Sequence, residues 1–218
     1  VGIRQIVDDQ VVLEAPIATT SFSTPVADVM LWDIESPKVY EVTTQLLYQG
    51  QVVDEKRVTV GFREALFQKD GFYLNGRKVR IRGLNRHQSY AYVGYAMPES
   101  MQRLDAKILK EELAVNAVRT SHYPQSHYFM DACDRLGLLV FTEMPGWQHI
   151  GGQAWQDQAV ENIKDMIVQY RNHPSIILWG VRINESQDND AFYERTNATA
   201  HTLDDTRQTG GVRAMKKS

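Results

Sequence analysis

A single cysteine, Cys133, rules out an intrachain disulfide framework for this 218-residue chain. It falls on the apolar stripe Phe129, Ala132, Cys133 and Leu136, which is the setting of a core thiol rather than a nucleophile. No apolar run reaches membrane-spanning length, and the segment from Val1 lacks the charged-then-apolar pattern of a secretion signal, so the compartment stays open. Neither charge is in large excess: 24 Lys and Arg against 27 Asp and Glu give a net charge of −3, without the basic stripe that nucleic acid requires. Repeats and low-complexity tracts are absent too. What remains is ordinary globular composition, 43% hydrophobic and 23% charged, in a chain long enough for one or two cored domains.

Periodicity divides the chain near residue 63. Before that point Val11-Val12-Leu13, Val39 to Tyr48 and Gln51 to Phe62 carry strand alternation, with Gln49-Gly50 as a hairpin turn. The segment is too short for a complete immunoglobulin-like sandwich, which takes about 100 residues. From residue 64 onward, strands alternate with helices. A hairpin through Asn75-Gly76 leads into a first strand over Val79 to Leu84, and a helix opening near Pro98 turns Met101, Leu104 and Ile108 to one face. Strands follow at Ala117 to Ser121, Leu138 to Thr142 and Ile176 to Val181, with a fifth beginning near Arg207. Between them lie a helix closed by Gly137, one with Val160, Ile163, Ile167 and Tyr170 on a stripe, and one over Phe192 to Leu203. This is about half of an eight-stranded barrel.

The run Ile176-Ile177-Leu178-Trp179-Gly180-Val181, entered through His173-Pro174, reads as a strand buried on both faces, and Asn184-Glu185-Ser186 comes just after it. Active sites of α/β barrels lie at the C-terminal ends of the strands, so Glu185 belongs at the site. Splitting a glycosidic bond needs such a carboxylic acid to protonate the leaving oxygen, paired with a second carboxylate. Placed at a buried strand end, Glu185 is expected to have a raised pKa. His87 and His122 fall at the ends of the first and second strands, and Glu143 follows the third.

The segment from Tyr170 to Ser186 resembles the acid/base signature of glycoside hydrolase family 2, which holds β-galactosidases and β-glucuronidases. Ile81 to His87 and Asn116 to Pro124 match two further blocks in the family's order. The resemblance runs from about Leu31 to the C-terminus. It implies an immunoglobulin-like β-sandwich over residues 1–63, truncated at its N-terminus, and the first half of a (β/α)8 TIM barrel over 64–218. It makes Glu185 the general acid/base of a retaining mechanism, Asn184 the ligand of the sugar 2-hydroxyl, and His87 and His122 sugar contacts. Arg119 matches the arginine that orients the nucleophilic carboxylate, its alternative being a salt bridge within the barrel. Glu143 either supports another site residue or contacts substrate. The nucleophile belongs near the seventh strand and is missing from this chain, so the isolated chain is expected to be inactive.

Some β-galactosidases of the family bind magnesium through an acidic residue and a histidine after the third strand. Here Trp147 replaces the acid and only His149 remains, so no metal or other cofactor is expected. Trp147, Trp155 and Trp179 offer ring faces to sugars, although Trp179 lies within a core strand. The resemblance points to hydrolysis of terminal β-galactosides. A β-glucuronidase is the alternative within the family, and a non-catalytic carbohydrate-binding or scaffolding remnant the alternative outside it. The expected partner is a β-linked carbohydrate, with neither nucleic acid nor membrane, and the full-length protein has room to form a homo-oligomer.

Overall fold

The structure, a computed structural model, describes residues 1–17 and 21–214. The N-terminal region is one antiparallel sheet of β1 (Gly2–Val7), β2 (Gln10–Pro16), β3 (Tyr40–Tyr48) and β4 (Gln51–Val60), in the order β2-β1-β3-β4. Gln49 and Gly50 at φ 51° and 79° make the β3–β4 turn, whose twist suits a two-residue hairpin. Val11, Val52 and Val53 remain exposed. Among the described residues this region is a single four-stranded sheet rather than the two layers of the expected sandwich.

A small antiparallel sheet follows, made of β5 (Ala65–Gln68), β6 (Gly71–Leu74) and β7 (Arg77–Val79). Asn75-Gly76 turns its second hairpin at φ 51° and 74°. Its apolar face, Ala65, Phe72, Leu74 and Val79, packs with Trp32 and Ile34 against Ala117, Leu139 and Ile177. Trp32 is fully buried and donates its indole N–H to the Asp134 carbonyl at 2.7 Å. This cluster plugs the N-terminal end of the parallel sheet. Val79 therefore belongs to the plug, pairing with Phe72, and the first barrel strand begins only at Gly83.

That parallel sheet contains β8 (Gly83–Arg86), β9 (Ala117–Thr120), β10 (Leu139–Glu143), β11 (Ile176–Gly180) and β12 (Gln208–Gly210), paired in strict chain order. Helices α1 (Glu99–Lys107), α2 (His127–Leu136), α3 (Gln153–Tyr170) and α4 (Asp190–Leu203) make the crossovers. Sequential order with helices on one face is the wall of a β/α barrel, not a doubly wound sheet. Outward-facing Val118, Val140 and Trp179 join Phe129, Met130, Cys133, Ile163, Ile167 and Phe192 in the main core. The opposite, concave face is open, with a cavity of about 280 Å³ lined by Leu84, Asn85, Arg119, Phe141 and Leu178.

α1 does not bury the face its apolar spacing predicts. Leu104 is exposed, while Gln102 and Ala106 turn inward. Arg86, itself buried, is the cause. Its guanidinium donates to Gln102 and Gln125, pairs with Asp105 and lies 4.0 Å from the centre of the Phe129 ring. A buried cation has to be surrounded by acceptors, and α1 supplies two of them.

Candidate active site

The strands aim the site residues by register. Arg119 pairs with Phe141, so both lie in one concave row, and Glu143 stands two residues further up β10. Glu143 is almost fully buried beside Gly180 of β11, where any Cβ would sit 2.6 Å from its Cγ. A glycine at that strand end makes the space for this carboxylate. Arg119 Nε donates to Glu143 Oε1 at 2.7 Å, and its Nη2 donates to Asn184 Oδ1 at 2.6 Å. His122 Nδ1 lies 3.0 Å from Glu143 Oε2. The same ring nitrogen lies 3.3 Å from Arg119 Nη2, so His122 sits between the carboxylate and the guanidinium. The His87 ring, one residue past β8, meets the His122 ring edge-on at 5.3 Å.

Asn184 and Glu185 do not directly follow β11. The strand ends at Gly180, and an irregular stretch then returns to the sheet, where Asn184 bridges Trp147 in parallel. Gln148 N–H donates to the Asn184 carbonyl at 2.8 Å, and Glu185 N–H to that of Val212 at 2.9 Å. Asn184 is buried with its Nδ2 unpartnered. Glu185 has a positive φ of 54° and an exposed side chain, and its Oε2 accepts from Trp147 Nε1 and Gln148 Nε2, both at 3.1 Å.

The expectation of a raised Glu185 pKa is overturned. The Gln148 amide and the Trp147 indole hold the carboxyl below its ordinary value, helped by His122 and Asn184. Burial would have raised it, but the side chain stands open to water, and donors to the charged form prevail.

His87, Arg119, His122, Glu143, Asn184 and Glu185 therefore gather at the C-terminal end of adjacent parallel strands. Arg86, Gln125 and Tyr123 underpin them: Gln125 Nε2 donates to the Arg86 carbonyl, and the Tyr123 hydroxyl accepts from Gln88 N–H. Sequence reasoning missed Gln125 and the donors to Glu185. The place of Trp147 and Gln148 between Glu143 and His149, the segment weighed as a metal site, was the available signal. Trp179 is core, donating Nε1 to Asp204 at 2.9 Å.

The residues beside Glu185 do not fit a divalent cation. Trp147 points an N–H at the carboxylate, where a ligand would present a lone pair, and His149 packs edge-on against Trp155 at 5.8 Å. Elsewhere, Asp131, Asp134 and His173 bring donor atoms within 4.8 Å of one another at the opposite end of the strands. There His173 Nδ1 is already paired with Asp134 at 2.6 Å. Among the described residues no helix is long and apolar enough to cross a membrane.

Comparison with known proteins places this geometry in a family. The model for glycosyl hydrolases family 2, TIM barrel domain, matches residues 66–214, and a second model, for glycosyl hydrolases family 2, matches residues 4–63. The chain belongs to glycosyl hydrolase family 2. It is 59% identical over 191 residues to a β-galactosidase of Thermoanaerobacterium thermosulfurigenes, covering 88% of this chain and 26% of that protein. It is 38% identical over 192 residues to a putative β-glucuronidase of Formosa agariphila, covering 82% of this chain and 23% of the other. A crystal structure of a Parabacteroides merdae β-glucuronidase superposes with a TM-score of 0.83 at 32% identity, over 96% of this chain and 28% of that one. The chain spans about a quarter of the length of these curated relatives.

Proposed function

We propose that the whole protein is a retaining β-glycosidase that removes terminal galactosyl residues. The observation that carries this reading is the Asn184–Glu185 pair. Asn184 has its Oδ1 fixed by Arg119 and its buried Nδ2 left over for a ligand, beside an accessible carboxylate. An unpartnered buried amide is costly, so a sugar hydroxyl that accepts from it is bound with that cost relieved. His87 and His122 complete the sugar pocket. Glu185 gives its proton to the glycosidic oxygen as the C1–O bond breaks, while a carboxylate attacks C1 from the other face. Glu185 then takes a proton from the water that releases the sugar. Glu143 is not that nucleophile, because its carboxylate is almost fully buried beneath Arg119 and His122, out of reach of a sugar C1. Its role is to hold Arg119, whose guanidinium orients the attacking carboxylate. Seating a sugar strips water from Glu185 and drives its pKa up towards the protonated form that the first step needs.

No metal takes part at Glu185. Residues 1–63 form part of an immunoglobulin-like sandwich, and residues from 64 onward belong to the barrel domain, with the small sheet over 65–79 closing its end. The 59% identity to a β-galactosidase supports galactosides over glucuronides. The test is Glu185→Gln in the whole protein. Hydrolysis of alkyl β-galactosides should fall by about 10²- to 10⁴-fold, and the glycosylation step on nitrophenyl substrates, which need little protonation, by much less. Equal loss on both would remove Glu185 from the acid role, and faster turnover of nitrophenyl glucuronide than galactoside would reassign the sugar.

A further inference from the structure

Trp147 is at once a hydrogen-bond donor to Glu185 and 62% exposed. An indole joins a flat apolar face to one polar N–H, so here the polar edge is held and the face is free. Among the described residues no other ring or cation lies against it. Its backbone is fixed rather than loose: Gly146 N–H donates to the His122 carbonyl at 3.1 Å, and Trp147 itself bridges Asn184. Gln148, at φ 59°, turns its amide to the same carboxylate oxygen. Two consecutive side chains therefore converge on Glu185 Oε2.

This arrangement determines more than the position of one carboxylate. An acid that protonates a glycosidic oxygen must touch the leaving group, so a ring bonded to that acid borders the space the leaving group fills. We propose that Trp147 is the platform for the leaving group, selecting aglycones that present a flat apolar face, and that Trp147 and Gln148 fix Oε2 so that Oε1 delivers the proton. The inference rests on Glu185 as the acid. A pyranose ring or an aryl group meets the requirement, whereas a short alkyl chain does not. The same surface receives the acceptor when a second sugar, in place of water, takes the glycosyl group.

The test compares Trp147→Ala, Trp147→Phe and Glu185→Gln in the whole protein. The substrates are ethyl and benzyl β-galactosides, whose leaving alcohols differ chiefly by one ring, and a β-linked galactosyl disaccharide. Trp147→Ala should lower kcat/KM on the benzyl and disaccharide substrates about 5- to 10-fold more than on the ethyl substrate, the scale of one lost ring contact. Trp147→Phe should keep that selectivity within about twofold, since the ring survives. Without the indole N–H, its basic limb of kcat/KM should move to higher pH, because a lost donor leaves the protonated acid favoured. Equal losses on all three substrates with Trp147→Ala overturn the platform, and an unmoved limb in Trp147→Phe overturns the anchoring of Oε2. Glu185→Gln separates the two levels. If it cripples the ethyl substrate while the Trp147 variants show neither effect, this inference alone fails. If it leaves the ethyl substrate intact, the acid assignment fails first.

Discussion

Replacing Arg119 by Met tests how far the site's geometry depends on one buried ion pair. Glu143 is 1% exposed in its side chain and Arg119 18%, so water screens neither well. Arg119 makes two short contacts to Glu143 Oε1, at 2.7 Å from Nε and 2.6 Å from Nη2, and one to Asn184. The substitution keeps an unbranched apolar stem and strips these bonds, leaving Glu143 with His122 as its remaining side-chain partner. Breaking a buried pair from one side costs about 3–5 kcal/mol, most of it the penalty of the stranded charge. The double variant Arg119→Met/Glu143→Gln removes that charge and should recover about half of the loss, so the coupling in a double-mutant cycle is about 2 kcal/mol plus the cost of Glu143→Gln alone. Urea unfolding monitored by tryptophan fluorescence measures all four corners of the cycle. A single-variant cost below about 1 kcal/mol, or strict additivity in the double, would mean that the pair contributes little and that register alone holds Glu143.

Four further outcomes follow from the same structure. Asp204 is pushed up by burial but brought down to about 2 by Arg207 and by donors from Thr206 and Trp179. Its contribution is present above the unfolded value near 3.8 and lost as pH falls towards 2, so acid titration of stability should show a loss of about 2 kcal/mol there, absent in Asp204→Asn. Gly137 caps α2 at φ 70°, and a Cβ there would lie 2.4 Å from the Ile34 carbonyl oxygen, so Gly137→Ala should cost at least about 1 kcal/mol by urea unfolding; a neutral result would show that α2 and the Ile34 strap can separate freely. EDTA should leave the whole protein's glycosidase activity unchanged, and a magnesium-reversible loss would contradict the donor set around Glu185. The 218-residue chain expressed alone should not hydrolyse nitrophenyl galactoside; turnover abolished by Glu185→Gln would hand the nucleophile's role to Glu143.

Much of this fold is legible in local chemistry. Asn75-Gly76 makes its turn, Gly137 takes up the left-handed cap, and Val160, Ile163, Ile167 and Tyr170 are all buried on α3, because in each case one physical requirement dominates. The failures share a different cause. Leu104 is exposed because α1 turns Gln102 inward towards Arg86, a contact between elements that hydrophobic spacing cannot register. Val79 joins the plug because its partner, Phe72, is in a hairpin and not in the barrel. The Glu185 pKa was misjudged for the same reason: its value depends on Trp147 and Gln148, almost forty residues earlier in the chain, rather than on its own strand.

The two ends of the parallel sheet use polar groups in opposite ways. At the N-terminal end most of them are closed off, Ser175 Oγ being the one buried side-chain atom there without a partner among the described residues. Arg207 donates to the carbonyls of Arg171, His173 and Ile176, Arg63 to those of Pro174 and Ile176, and Asp134 pairs with His173. At the C-terminal end they are left partly open, with Asn184 Nδ2 and Ser121 Oγ buried without partners and Gln148 and Glu185 at positive φ. Unpaired donors and left-handed backbone both cost stability, so they persist only where the surrounding structure holds them in place or a ligand completes them. The closed end, with Trp32 and the small antiparallel sheet packed into it, supplies that support. Residues at the bottom of this barrel should therefore be read for stability and those at the top for chemistry. On that division Trp147, exposed yet anchored among the open groups, belongs with the chemistry.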